Sequence, residues 1–258
     1  MQGNNGEKHL SHSQISMLLR CPRQYCYRYI EGIRVPPGAA LLLGTSYHAA
    51  LEHNFKQKVQ TGEDLGVDVI LDAYESAWTK KLANEEIDWQ GESPSETKDM
   101  GARLVDVYMQ NAAPFVMPVE VERKFSVHLP GLDGYTLDGI IDLIDDKGVI
   151  IDHKTASKSK TQTDADNDLQ PYAYAAAQME DPAIDEVPFQ YQVAVKKKKP
   201  DVQLVDTVRN RQQVGWYLQL CSDVVRQIKA AIFPCNPCGW HCDPKWCGYY
   251  EMCKGGKR

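Results

Sequence analysis

Residues 134–160, GYTLDGIIDLIDDKGVIIDHKTASKSK, constrain the fold of this chain more than any other stretch. Two runs rich in branched apolar residues, 135–144 and 148–154, flank Asp145-Asp146-Lys147-Gly148, which reads as a tight hairpin turn. Antiparallel neighbours lie about 4.8 Å apart, so Asp142 in one strand and Asp152 in the next can reach one side of the sheet and share a cation. Lys154 follows Asp152 by two residues and points to the same face. The apolar run Val149-Ile150-Ile151 marks a buried strand that delivers polar groups at its end. Two carboxylates and a lysine converging there suit Mg²⁺ or Mn²⁺, which seek oxygen and keep several waters. Such an ion lowers the pKa of a bound water and stabilises phosphoryl charge. An ammonium beside that water orients it or stabilises the transition state. Taken alone, Asp-x-Lys is common, and an Asp at a hairpin edge is ordinarily a solvated charge.

The rest of the chain reads as helices before this hairpin and a mixed pattern after it. A helix is expected over 10–30, opened by a Ser11/Gln14 capping box and either kinked or started a second time at Pro22. Others are expected over about 40–58, 67–83 and 94–111, the last with Ser93 as N-cap, Pro94 in its first turn and Glu96 closing the box. Residues 119–128 alternate like a strand, 155–167 read as a loop, 169–179 as a helix, and 187–195 and 202–208 as strands. Asn210 with Gln213 caps a final helix to about Ile232. The expected organisation is a helical region over about 10–115, an α/β core over 116–232 and a cysteine-rich tail over 233–258, together an α/β core inside a helical wrapping.

The chain has 258 residues, 43% of them hydrophobic and 25% charged, which excludes a disordered or fibrous chain. No apolar run approaches the roughly 18 residues of a membrane span, and the first fourteen residues hold no apolar stretch of a secretory signal. The expected compartment is therefore the cytoplasm, with reduced thiols. A formal charge of −6 argues against a general nucleic-acid coat but leaves room for a local basic groove. Candidates for that groove are Lys158 and Lys160, the run Lys196 to Lys199 (Lys196 and Lys197 above all), and Arg20, Arg23, Arg28 and Arg34, interleaved with Tyr25, Tyr27 and Tyr29. A lysine run at a turn also keeps a strand edge soluble.

Five of the eight cysteines, Cys235, Cys238, Cys242, Cys247 and Cys253, fall in the last 24 residues. That density points to a metal site rather than to small buried hydrophobes, the reading kept for Cys26 and Cys221. Cys235-x2-Cys238 with Cys242 and Cys247, or with His241, has the spacing of a local zinc site. Thiolate spacing by itself does not separate zinc from an iron–sulfur cluster.

Five motifs then stand in order: Gly44-x3-His48, Glu122-x-x-Phe125, Gly139-Ile140-Ile141-Asp142, Asp152-His153-Lys154 and Gln170-x3-Tyr174. From about residue 9 to 253 the chain resembles the RecB-like branch of the PD-(D/E)XK nuclease superfamily. Leu10-Ser11-x-Ser13 with Cys21-Pro22, and the late cysteines, resemble its iron–sulfur members. The resemblance implies a restriction-endonuclease-like mixed central sheet flanked by helices. It implies metal-dependent cleavage of DNA by metal-activated water, on single strands or DNA ends, in recombination, repair or phage DNA processing. His48, Asp142, Asp152 and the His153 carbonyl would hold Mg²⁺ or Mn²⁺, and Lys154 would position or activate the attacking water. Gln170 and Tyr174 would brace the site or touch the DNA backbone, and Glu122 would stand behind it. Cys21, Cys242, Cys247 and Cys253 would hold a 4Fe–4S cluster that staples the chain ends, with Cys235 and Cys238 as rivals and zinc as the alternative metal. The chain carries no G-x4-GK[ST] motif, so the expectation is either a stand-alone nuclease or a subunit that works with a separate helicase, recombinase, annealing protein or integrase. A CRISPR-adaptation-type nuclease that trims DNA before integration shares these motifs, and a metal-stapled DNA-binding module that no longer cuts is the reading from outside the enzymes.

Overall fold

The computed structural model of the chain describes residues 8–255. The readings of residues 1–7, and of the tail's final three, lie outside that part. A six-stranded mixed sheet forms the centre. β1 (Lys8–Ser11) pairs parallel with β3 (Tyr135–Asp145), and β2 (Pro118–His128) runs antiparallel along the other edge of β3. β4 (Ile150–Ala156) returns antiparallel beside β3, through the expected turn. β5 (Glu186–Val195) then lies parallel to β4, and β6 (Asp201–Asn210) closes antiparallel on β5. This is the expected restriction-endonuclease-like α/β architecture.

The β4–β5 centre is buried on both faces, which is why its sequence is a continuous apolar run. Ile150 and Val193 face one core, and Ile151 and Ala194 face the other. The first core is covered by α1 (His12–Arg20), α7 (Gln170–Gln178) and α8 (Arg211–Lys229), which contribute Ile15, Leu18, Ala173 and Val225. The second is covered by α3 (Ala39–Thr61), α4 (Val67–Asn84) and α5 (Pro94–Asn111), through Tyr47, Phe55, Tyr74, Trp78 and Tyr108. Among the described residues no helix is long and apolar enough to cross a membrane.

Three local expectations change, and at Pro22 the second start is the alternative that forms. Leu10 and Ser11 belong to β1, and the helix starts at His12; the Ser11/Gln14 capping box forms, but the residues before it pair with β3 instead of extending the helix. At Pro22 the chain restarts as α2 (Pro22–Tyr25), since proline fits a helix's first turn and breaks its interior. A π-helical turn over Cys26–Ile30 follows. The expected loop 155–167 contains α6 (Gln162–Asn167), boxed by Thr161 and Asp164. α6 is almost wholly polar and has no apolar periodicity to betray it. The tail adds α9 (Tyr250–Lys254), and α8 stops at Lys229 rather than near Ile232.

Candidate active site

The β3–β4 ladder holds only two registered pairs, Leu143 with Ile151 and Ile144 with Ile150. Beyond them β4 leaves β3 and stays with β5 as far as Ala156 and Val195. The two strands therefore form a fork, and the expected carboxylate pair stands at its crotch. The Asp142 carboxylate reaches across the gap and accepts the His153 backbone N–H at 3.0 Å. The same Oδ2 lies 3.3 Å from Nδ1 of His48, which α3 delivers half-exposed. Asp152 is fully buried, its Oδ1 accepting from Gln170 Nε2 at 2.6 Å and its Oδ2 pairing with Lys154 Nζ at 2.6 Å. Burial pushes the Asp152 carboxyl up to about 6; the Lys154 ammonium opposes that rise and the Asp142 charge adds to it. Lys154 loses some basicity to burial, but Asp152 and Asp142 outweigh this and hold it above its usual value, so it stays a cation.

Glu122 lies on β2 between the residues that face Leu143 and Ile141, hence opposite Asp142. Its φ of 54° is rare for a side chain larger than glycine and marks strain at the site. Burial, then the charges of Asp142 and Glu52, push its carboxyl up to about 7. The His153 side chain turns to the opposite face of β4. It stacks on Phe55 at 5.6 Å, and its Nε2 meets Tyr108 Oη at 2.9 Å. Tyr108 donates its own proton to Gln192, so the network assigns Nε2–H to the ring. Burial holds this imidazole well below its usual pKa, hence neutral.

Gln170 opens α7 and also bonds Tyr174 Oη at 2.8 Å, which places both residues at Asp152. Phe125 leans edge-on against Tyr174 at 5.8 Å and covers Gly139, where a Cβ would meet the phenyl ring at 2.5 Å. Two residues escaped the sequence reading. Asp168 accepts the Gln170 N–H at 3.1 Å and pairs with Lys160 at 2.8 Å; burial raises its pKa, yet these partners prevail and hold it below the usual range. Arg209, 2% exposed, donates to the carbonyls of Ala165, Asp166 and Asp168 and so ties α6 to the sheet. The available signal was the alternation of β6, which puts Arg209 on the inward face with Val205 and Thr207.

A family model described as the PD-(D/E)XK nuclease superfamily matches residues 9–254. The chain belongs to the PD-(D/E)XK nuclease superfamily. A search of curated proteins finds no significant match. Among solved structures, a "Putative exonuclease" from Eubacterium rectale is 10% identical, with a TM-score of 0.61, over 97% of this chain and 90% of that one. It shares the fold. SSO0001 is 12% identical over 100% of this chain and 90% of that one, with a TM-score of 0.41, and adds nothing to the argument.

Members of this superfamily typically use Mg²⁺ or Mn²⁺. Among the described residues no three His, Cys, Asp or Glu side chains stand in finished ligating geometry. The donor set nonetheless fits such a cation. Asp142, Asp152 and Glu122 are hard oxygen donors, and the last two have carboxyl pKa values raised by burial and by the Asp142 charge, a deficit that a divalent ion removes.

The nuclease's basic candidates separate into two places. Lys158 is exposed just past β4, and the Lys196 N–H donates to Ala156 O at 2.7 Å. Lys158, Lys196 and Lys197 thus share the strand end beyond Lys154, with Lys197 tied to Asp201 at 3.0 Å. Arg23 lies elsewhere, over the Tyr27 ring in the cysteine lobe. Tyr25 is buried and is not free to meet a base.

In that lobe Cys21, Cys235, Cys242, Cys247 and Cys253 line one cavity, and the exposed Cys238 does not. All eight thiols are free. The tail is fastened to the N-terminal helices by Asn236 Nδ2 to Arg20 O at 3.0 Å, Tyr249 Oη to Ile33 O at 2.9 Å and Gln24 Nε2 to Cys247 Sγ at 3.0 Å. Burial and then the neighbouring Cys235, Cys21, Cys247 and Cys242 push the Cys253 thiol up, as expected where thiols crowd without a soft cation, so this donor set fits a thiophilic metal.

Proposed function

We propose that the chain is a Mg²⁺- or Mn²⁺-dependent deoxyribonuclease that acts as an exonuclease on single-stranded DNA or DNA ends. The observation that carries this is the fork of β3 and β4, which brings Asp142, Asp152 and Lys154 together with His48 and Gln170. His48, Asp142, Asp152 and the His153 carbonyl would hold the divalent ion, which when bound acidifies water and offsets phosphoryl charge. Lys154, a cation paired with Asp152 and 37% exposed, donates hydrogen bonds to the attacking water and to the phosphate oxygens. Gln170 fixes Asp152 through Oδ1, Tyr174 holds Gln170, and Glu122 stands behind Asp142. Lys158, Lys196 and Lys197 take backbone phosphates as they leave the site.

Action at DNA ends draws support from the neighbour of similar fold that is named a "Putative exonuclease". Cys21, Cys242, Cys247 and Cys253 would hold a 4Fe–4S cluster, with Cys235 as the reserve thiol, contributing folding energy between the two ends of the chain. The setting of this reading is the cytoplasm of a bacterial or phage-infected cell, in DNA recombination, repair or phage DNA processing, beside a separate helicase, annealing protein or integrase.

The test is cleavage of end-labelled single-stranded, duplex and circular DNA by anaerobically purified protein, with Mg²⁺ or Mn²⁺ and with EDTA, beside Lys154→Ala. Metal-dependent loss of linear substrates, protected circles and an inactive variant are expected. A variant that cuts as fast as the parent would refute the site, and cut circles would refute exonuclease action.

A further inference from the structure

We propose that the cysteine-rich lobe carries a stacking platform for unpaired DNA bases, built from Trp240 and Trp246. The inference rests on the nuclease reading and adds a second DNA contact outside the catalytic fork. Trp240 is 74% and Trp246 59% exposed. Their rings meet edge to face, 6.1 Å apart at 79°, so neither is stacked flat on the other, and their exposure leaves ring surface open to solvent. Leaving two indoles in water forgoes the burial free energy that large aromatics ordinarily contribute.

The charge around them selects the occupant. Lys245 lies 5.0 Å from the Trp246 ring centre, Lys254 5.3 Å from that of Tyr250, and Arg23 5.9 Å from that of Tyr27, which itself stacks on Tyr249. Residues 20–34 hold four arginines and one acid, and residues 233–258 four basic residues and two acids, in a chain whose total is −6. Alternating cations and open π-faces match a phosphate chain with splayed bases. A duplex keeps its base faces stacked on each other and offers this surface only its phosphates.

The lobe that carries the platform is joined to the catalytic fork by α1. α1 has nine residues and is about 14 Å long. At its start, His12 feels the charges of Asp168, Lys154 and Asp152, and at its end the Arg20 carbonyl is held by Asn236 of the lobe. One strand can therefore place its end at Lys154 and its next few bases on the indoles.

The experiment titrates the full-length protein, in EDTA so that nothing is cut, with labelled oligo-dT and with a blunt-ended hairpin duplex. Wild type is compared with Trp240→Ala, Trp246→Ala and the double variant. The double variant is expected to bind oligo-dT about tenfold or more weakly, to lose the quenching of tryptophan fluorescence that oligo-dT causes in the parent, and to bind duplex within about twofold of it. Circular dichroism and melting check the fold; should the double variant unfold, Trp240→Ala alone, at the more open ring, carries the comparison. Unchanged oligo-dT binding overturns the platform, as does an equal loss for both substrates, which would mark a general electrostatic surface or a protein-docking patch. If the parent cuts DNA and the variants bind oligo-dT as it does, the platform alone falls; if the parent neither binds nor cuts DNA, the nuclease reading falls with it.

Discussion

Replacing Arg209 with Met keeps an unbranched apolar stem and removes the guanidinium with its five donors. The guanidinium now serves Ala165 O and Asp166 O at 2.9 Å, Asp168 O at 3.3 Å, Val208 O at 2.9 Å and Thr207 Oγ1 at 2.6 Å, and it lies 4.3 Å over the Tyr172 ring. α6 has six residues, too few to satisfy most of its own carbonyls, and the guanidinium caps its C-terminal end. Each buried carbonyl left without a donor costs about 1–3 kcal/mol, and the lost ring contact about 1 more. Water reaching the outer carbonyls and the relieved desolvation of the cation offset part of this. The expected net loss is about 3 kcal/mol, a large share of the roughly 5–15 kcal/mol that stabilises a domain. Melting should fall by about 6–12 °C. Urea unfolding followed by circular dichroism measures it, with DNA cleavage assayed in parallel, because Asp168 and Gln170 follow α6 directly. A loss below about 1 kcal/mol at unchanged m-value would show that α6 holds without its clamp and would refute the reasoning.

Other expectations concern the charged site and the thiols. Glu122 has a folded pKa of about 7 against an ordinary value of 4.5, so its contribution to the stability of the metal-free protein is fully present below about pH 4.5 and is lost as pH rises through 7. Discounted for partial exposure, the loss is about 1–2 kcal/mol; Glu122→Gln should remove that dependence, and parallel stability curves for variant and parent between pH 5 and 8 would contradict it. Anaerobically purified Cys21→Ala should lose bound iron and visible absorbance, whereas Cys238→Ala should keep both; iron analysis decides, and full iron in Cys21→Ala would remove that thiol from the ligand set.

Much of this fold was legible because its rules are local. The continuous apolar run through Ile150 and Ile151, the Asp145–Gly148 turn, and the capping boxes at Ser11 and Asn210 each need only a few neighbouring residues. The resemblance that five ordered motifs carry was what proposed His48, Asp142, Asp152, Lys154 and Gln170 as one set, and the folded chain brings them to one fork. What stayed hidden depends on partners far away in sequence. β1 exists because β3 offers a free edge, and α6 because a guanidinium 41 to 44 residues later donates to the carbonyls at its end.

The amino-acid order by itself therefore determined which residues are candidates for chemistry, the succession of β2 to β6 and where the thiols concentrate. Tertiary structure alone decided that Asp152 would be desolvated and Glu122 strained, that Cys235 would join the cavity and Cys238 would not, and that Tyr25 would be sunk while Trp240 stood open. The physical reason is that periodicity and turn chemistry act through bonded neighbours, whereas pKa, exposure and convergence depend on the dielectric and the charges that packing assembles around each group.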